Sequence, residues 1–168
     1  MLIRAITAFI ALPGMVAYII PATIGLHSRL PGRYVALALI PMCLGTLLLL
    51  RCVREFYVAG RGTLAPWAPP VNLVTGGPYR FCRNPMYIGV VTILGGWCVL
   101  WRLESLWIYS VVVLCVFQVR VMLVEEPWAA RKFGTTWDAY RVQVPRWLPL
   151  GRLPLSRLVS RHNGRAKA

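Results

Sequence analysis

Residues 77–89 read Gly-Pro-Tyr-Arg-Phe-Cys-Arg-Asn-Pro-Met-Tyr-Ile-Gly, where a polar loop enters an apolar run. Asn84 precedes a proline, so its backbone is pushed toward extended geometry. Pro85 suits the first position of a helix, which makes Asn84 the expected N-cap. A helix start offers free N–H groups to an anion, and Arg80 and Arg83 stand beside this one. Tyr79 and Tyr87 add flat faces for a base or a cation. The chemistry so described is capture of a carboxylate and a nucleoside. The plainer alternative is a turn whose arginines snorkel to lipid phosphates.

A second polar cluster follows about forty residues later. Glu125-Glu126 leaves an apolar run that also carries Gln118 and Arg120. Carboxylates at a helix C-terminus oppose the helix dipole, which suggests a cationic partner. The alternative is a solvated pair neutralised by Arg131 or Lys132. Arg120 and Glu125 are five residues apart, about 140° around an ideal helix, so the spacing predicts no side-chain pair. They would instead touch different parts of one ligand. Beyond them come Phe133-Gly134, Tyr140 and Val144-Pro145-Arg146.

Composition narrows the chemistry. The 168 residues are 58% hydrophobic, with nineteen basic residues against five acidic ones and a net charge of +14. The mean hydropathy is +0.61, too apolar for a soluble domain of this size. Seventeen of the basic residues are arginine, and they lie between apolar runs and in the tail. A membrane surface therefore fits better than nucleic acid. His27 and His162 are the only histidines, which excludes a histidine-rich metal site. Cys43, Cys52, Cys82, Cys98 and Cys115 form no CxxC pair and read as buried small apolar residues. There is no dinucleotide or Walker glycine loop, and no Ser-His-Asp or Cys-His set near the junction.

Four segments approach the roughly 20 residues needed to span a bilayer. They run from about 3 to 26, with kinks expected at Pro13 and Pro21, then from about 34 to 53, 85 to 101 and 105 to 124. Gly89, Gly95 and Gly96 would allow close packing of the third. The first has no small-residue cleavage site and reads as a retained helix. A long loop over 54–84 holds Pro66, Pro69 and Pro70, and arginines flank it. The positive-inside rule puts this loop and both termini in the cytoplasm. Trp67, Trp101 and Trp107 read as interfacial anchors. Pro127 opens a further helix, in which Trp128, Arg131, Lys132 and Trp137 alternate as in a helix lying on the interface. The expectation is an all-α, polytopic integral membrane protein with four or five transmembrane helices and a cytoplasmic C-terminal helical segment. Residues 1–150 form its single domain. Residues 151–168 form a basic, disordered tail attracted to anionic lipid.

Residues 71–89 and 120–149 resemble the isoprenylcysteine carboxyl methyltransferase family, which is related to membrane phospholipid methyltransferases. The family pattern is roughly Gly-x-Tyr-x-x-x-Arg-His-Pro-x-Tyr-x-Gly, then Glu-Glu-x-x-Leu, Phe-Gly, Tyr-x-x-Tyr and Pro-Arg. Gly77, Tyr79, Arg83, Pro85, Tyr87 and Gly89 match the first block. Glu125, Glu126, Phe133, Gly134, Tyr140, Pro145 and Arg146 match the second, and Pro149 follows. Asn84 replaces the usual histidine, Ala129 the leucine and Trp137 the first tyrosine. Asparagine still hydrogen-bonds, but it does not titrate near neutral pH.

The resemblance implies S-adenosylmethionine as cofactor, a lipophilic small molecule or lipid-modified substrate, and a multi-pass protein such as one of a bacterial inner membrane. It places Leu73, Val74 and Tyr79 beside the adenosine. Arg83, Asn84, Pro85, Met86 and Tyr87 line the cofactor, and Glu125 and Glu126 meet its polar end. Arg120, with Glu125, is the expected catalytic pair, Arg120 holding a substrate carboxylate. A carboxylate is already ionised and needs no base, so the scarcity of bases favours an oxygen nucleophile. Head-group N-methylation and a non-catalytic lipid-binding scaffold remain the alternatives.

Overall fold

The computed structural model describes residues 10–26, 34–60 and 70–147. Every regular element among them is helical. A π-helical stretch, Ile10–Ile19, runs into α1, Ile20–Leu26. The long α2 covers Val35–Val58. A 3-10 turn, Gly77–Arg80, leads to α3, Pro85–Trp101. A short connection then gives α4, Glu104–Arg120, which continues through a π-helical turn, Val121–Glu125, into α5, Glu126–Phe133. The last element is α6, Thr135–Gln143. Helices lie over the described parts of the expected segments, two of them long and apolar enough to cross a membrane, with α2 running five residues past its expected end and the fourth segment continuing past Glu125. His27, Arg61, Pro66, Trp67, Pro69 and the basic tail lie outside the described residues.

Two prolines shape the helices in the same way. Each π-helical stretch ends two residues before a proline, at Pro21 and Pro127. Proline has no N–H and its ring crowds the carbonyl four residues back. The turn before it widens, and Glu126 N–H then bonds Val121 O five residues back. In the first helix, Pro21 offers no N–H to the carbonyls four and five residues back, those of Ala17 and Val16. Tyr109 Oη donates to Val16 O and Trp97 Nε1 to Ala17 O, both at 2.9 Å. Those bonds pin the first helix to α3 and α4.

α2 and α3 form the most extensive helix pair. Their backbones meet at Gly45 and Gly89: a Cβ on Gly45 would lie 2.6 Å from Gly89 O. A Cβ on Gly96 would lie 2.9 Å from Ala38 O. Gly95 faces open space, so only two of the three expected glycines pack the helix. Leu49, Val90, Ile93 and Leu94 fill the core beside this seam.

The outer surface is apolar. Val35–Val58 and the continuous Glu104–Phe133 are long and apolar enough to cross a membrane, yet their apolar windows are only 22% and 11% buried. Core helices of a soluble protein would be mostly covered, so these faces suit lipid. Trp107 is 55% exposed there. Trp101 instead packs its indole over Gly25, inside the bundle rather than as an anchor. Cys52, Cys82 and Cys98 are buried, whereas Cys43 and Cys115 are exposed.

α5 and α6 do not form a helix lying flat. They fold on each other around Ala129, Trp137, Tyr140 and Val144. Trp137, expected on an exposed interfacial face, is buried, and the small Ala129 leaves room in the same cluster.

Candidate functional site

The junction before α3 is built from a tight turn that needs glycine at position 77. Gly77 has φ +54°, and a Cβ there would fall 2.8 Å from Glu55 on α2. Glycine removes both conflicts. The turn then buries Tyr79, whose ring meets Phe56 edge-on at 5.4 Å. Tyr79 O accepts a 2.7 Å bond from Tyr140 Oη, joining the turn to α6. Burial pushes both phenols above the usual tyrosine range.

Asn84 occupies the N-cap position of α3, but its side chain does not cap. Asn84 Nδ2 donates instead to Arg146 O at 3.0 Å. Arg83 N–H donates to Pro145 O at 2.8 Å. The motif thus grips the segment after α6, a partner 62 residues away. Pro85 is fully buried as the first residue of α3. Tyr87, one turn in, donates its hydroxyl to Glu125 Oε1 and stacks on Phe117 at 4.2 Å.

Arg120 and Glu125 do pair, contrary to the ideal-helix expectation. Arg120 Nε donates to Glu125 Oε1 at 2.8 Å. The π-helical turn between them carries more residues per turn, and this returns residues five apart to one side. Tyr87 and Arg120 thus both meet Glu125 through its Oε1, and Arg120 and Tyr87 also interact with each other.

Glu126 points elsewhere. It meets Arg146 with both oxygens, at 2.7 and 2.8 Å, and Arg83 Nη1 at 3.1 Å. Arg83 also stands 5.6 Å over the Trp137 ring. Burial lowers the Arg83 pKa, an effect Glu126 opposes, and the bond to Glu126 raises that of Arg146. The alternative of a solvated pair neutralised by Arg131 or Lys132 does not hold: the carboxylates' ion-pair partners are Arg120, Arg83 and Arg146. Lys132 donates to Pro70 O at 2.8 Å and sits over Trp128.

These groups border one cavity of about 570 Å³. Leu73, Val74, Tyr79, Arg83, Asn84, Met86, Tyr87, Arg120, Glu125 and Glu126 all line it. Pro85 does not, because it is buried beneath the junction. Sequence reasoning missed the apolar wall, where Pro13 and Val16 of the first helix meet Val90, Val116 and Phe117. Nothing local marks the first helix, since only folding brings it there. Trp147 was also missed: its Nε1 bonds Gln118 Oε1 at 2.8 Å, and it directly follows the flagged Pro145-Arg146. The cavity size lies within the range of small-molecule sites.

Its donor set is mixed. One carboxylate, Glu125, engages its partners through a single oxygen, the Arg120 guanidinium stands beside it, and the rings of Tyr87 and Phe117 stand next to them. A ligand with a cation, a carboxylate and an aromatic ring would find partners for each. S-adenosylmethionine is such a molecule, so the residues present fit it. No group of His, Cys, Asp or Glu able to hold a metal occurs among the described residues.

The sequence profile of the phospholipid methyltransferase family matches residues 34–136. The chain is also similar to the protein-S-isoprenylcysteine O-methyltransferase of Schizosaccharomyces pombe (strain 972 / ATCC 24843), 34% identical over 79 residues. That match covers 46% of this chain and 33% of the yeast protein, so the chain spans a third of the relative's length. No solved structure matches the chain.

Proposed function

The chain belongs to the phospholipid methyltransferase family, and on that premise we propose that it is an S-adenosylmethionine-dependent membrane methyltransferase that esterifies a lipophilic carboxylate of the isoprenylcysteine type. One observation carries the reading. A single cavity joins a charged end, with Arg83, Arg120 and Glu125, to an apolar wall made by the first helix, α3 and α4. A substrate with a charged head and a greasy body needs that combination.

Each residue has a role in this reading. Glu125 offers its second oxygen to the cofactor ammonium, while Tyr87 and Arg120 fix the carboxylate in place. Arg120 turns its terminal N–H groups to the substrate carboxylate. Leu73, Val74 and Tyr79 supply the adenosine wall, and Asn84 and Met86 the start of α3. The cofactor, when bound, supplies an electrophilic methyl group. The protein's contribution is alignment and exclusion of water, which can supply much of the rate. An ionised carboxylate needs no base, and the two buried tyrosines of the junction hold their protons.

We place four spans in the bilayer, with both termini cytoplasmic, as in a bacterial inner membrane protein. α3 has 17 residues, about 25 Å of rise. That is shorter than the roughly 30 Å hydrocarbon core. Its polar start therefore lies at the hydrocarbon boundary, where a lipid-borne head and a water-borne cofactor meet. Residues 1–150 act as the domain and 151–168 as a lipid-attracted tail.

Calorimetry with S-adenosylmethionine on detergent-purified protein tests the reading. Saturable binding that weakens in Glu125→Gln supports it. A well-folded wild type that binds none, with lipid restored, leaves a lipid-binding scaffold. The family's name favours a second reading, N-methylation of a phospholipid head group. The products differ, because mild base releases the label from a methyl ester and not from a methylamine.

A further inference from the structure

Resting on the proposed cofactor site, we infer that Glu126 is a positioning residue rather than a cofactor ligand: with Arg83 and Arg146 it clasps residues 144–147 across the start of α3, and so sets cofactor affinity without touching the cofactor.

Three observations support this division of an adjacent pair. First, Glu126 is already satisfied. Two guanidinium groups take both its oxygens, one of them in a bidentate fork. A third cation would have to displace one of them. Glu125, by contrast, uses one oxygen for both of its partners among the described residues.

Second, the clasp holds a segment with no regular structure of its own. Residues 144–147 follow α6 and form neither helix nor strand. Four contacts tie them down: Arg83 N–H to Pro145 O, Asn84 Nδ2 to Arg146 O, the Arg146 guanidinium to Glu126, and Trp147 Nε1 to Gln118. The segment runs from the start of α3 to α4, and Trp147 ends 6.5 Å from the Tyr87 ring. It thereby braces the aromatic side of the charged end of the cavity.

Third, the clasp depends on its acid. Arg83 and Arg146 both reach Glu126 Oε1, at 3.1 and 2.7 Å, and the Arg146 charge disfavours that of Arg83. Glu126 is the only carboxylate that either meets among the described residues. Without it two guanidinium groups face each other, and the 144–147 segment is pushed from α3.

A double-mutant cycle on S-adenosylmethionine binding, by calorimetry, tests this. Glu126→Gln and Arg146→Gln should each weaken binding about tenfold, and the double variant should be about tenfold weaker, not about a hundredfold. The charge-exchanged pair Glu126→Arg with Arg146→Glu should recover part of the loss. Additive losses would show that Glu126 makes its own contact with the cofactor, which overturns the inference. If Glu126→Gln fails to fold, Arg146→Gln alone decides, since wild-type affinity there also overturns it. A wild type that binds no cofactor removes the proposed function and this inference together. Binding with additive losses removes this inference only.

Discussion

Arg120 and Glu125 sit five residues apart and still pair, Nε to Oε1 at 2.8 Å, because the helix between them widens into a π-helical turn. Pro127, two residues on, is the physical cause of the widening. Glu126, the next residue, is turned about a quarter of the way round the helix, toward Arg83 and Arg146. The widened turn thus brings Glu125 to Arg120, while its neighbour Glu126 meets a different pair of arginines.

Glu125→Gln should separate binding from stability. The Arg120–Glu125 pair is partly exposed, with side chains 46% and 34% accessible, and such pairs contribute about 0–1 kcal/mol. Thermal melting in detergent should shift by no more than a few degrees. Cofactor affinity should fall about tenfold or more, as for loss of a charge-assisted hydrogen bond. A large melting shift with unchanged affinity would make the residue structural.

Asn84 bears on the family's histidine. Asparagine Nδ2 and histidine Nδ1 are each three bonds from Cα, so either can donate to Arg146 O. Asn84→His should therefore keep cofactor affinity within about threefold, whereas Asn84→Leu should lose about tenfold by leaving that carbonyl unpaired. Equal losses in both variants would argue for a direct cofactor contact by the amide.

Tyr140→Phe deletes the donor to Tyr79 O in a buried position. The expected cost is about 1–3 kcal/mol of stability, because the carbonyl is left without a partner. The two phenols also imply a pH dependence. Their folded pKa values lie above the ordinary 10.0. Their contribution is therefore fully present below pH 10 and is lost as the pH rises beyond it, when the unfolded chain alone gives up the protons. Melting followed from pH 8 to 11 should fall above about 10 in wild type. The fall should be smaller in Tyr140→Phe.

The helix seam offers a stringent packing test. Gly45→Val would drive a side chain into the Gly89 carbonyl, at 2.6 Å for Cβ alone. The expected loss is about 1–3 kcal/mol or misassembly. Gly95→Ala meets nothing within 4 Å and should be neutral, or stabilising by up to about 1 kcal/mol through helix propensity. Melting of the two variants side by side would check the α2–α3 register.

The sequence by itself determined the helical class, the apolar segments and the polar junction. Apolar runs must become helices where water is scarce, and Asn84-Pro85 marks a helix start whatever surrounds it. It also marked the polar end of the cavity, with Arg83, Asn84, Tyr87, Arg120, Glu125 and Glu126, because arginines, carboxylates and tyrosines beside apolar helices stand out by type, but not its apolar wall. Tertiary structure alone decided their partners. Asn84 reads locally as a cap, yet a carbonyl 62 residues away takes its amide. Trp137 reads as an exposed anchor, yet α5 and α6 fold over it. Arg120 and Glu125 read as diverging, because ideal-helix geometry omits the widening before a proline. Pro13 and Val16 carry no sign of a site, and reach the cavity only because Trp97 and Tyr109 pin the first helix to α3 and α4. Residue type and local backbone preference act over a few residues, whereas hydrogen-bond partners depend on which distant elements arrive.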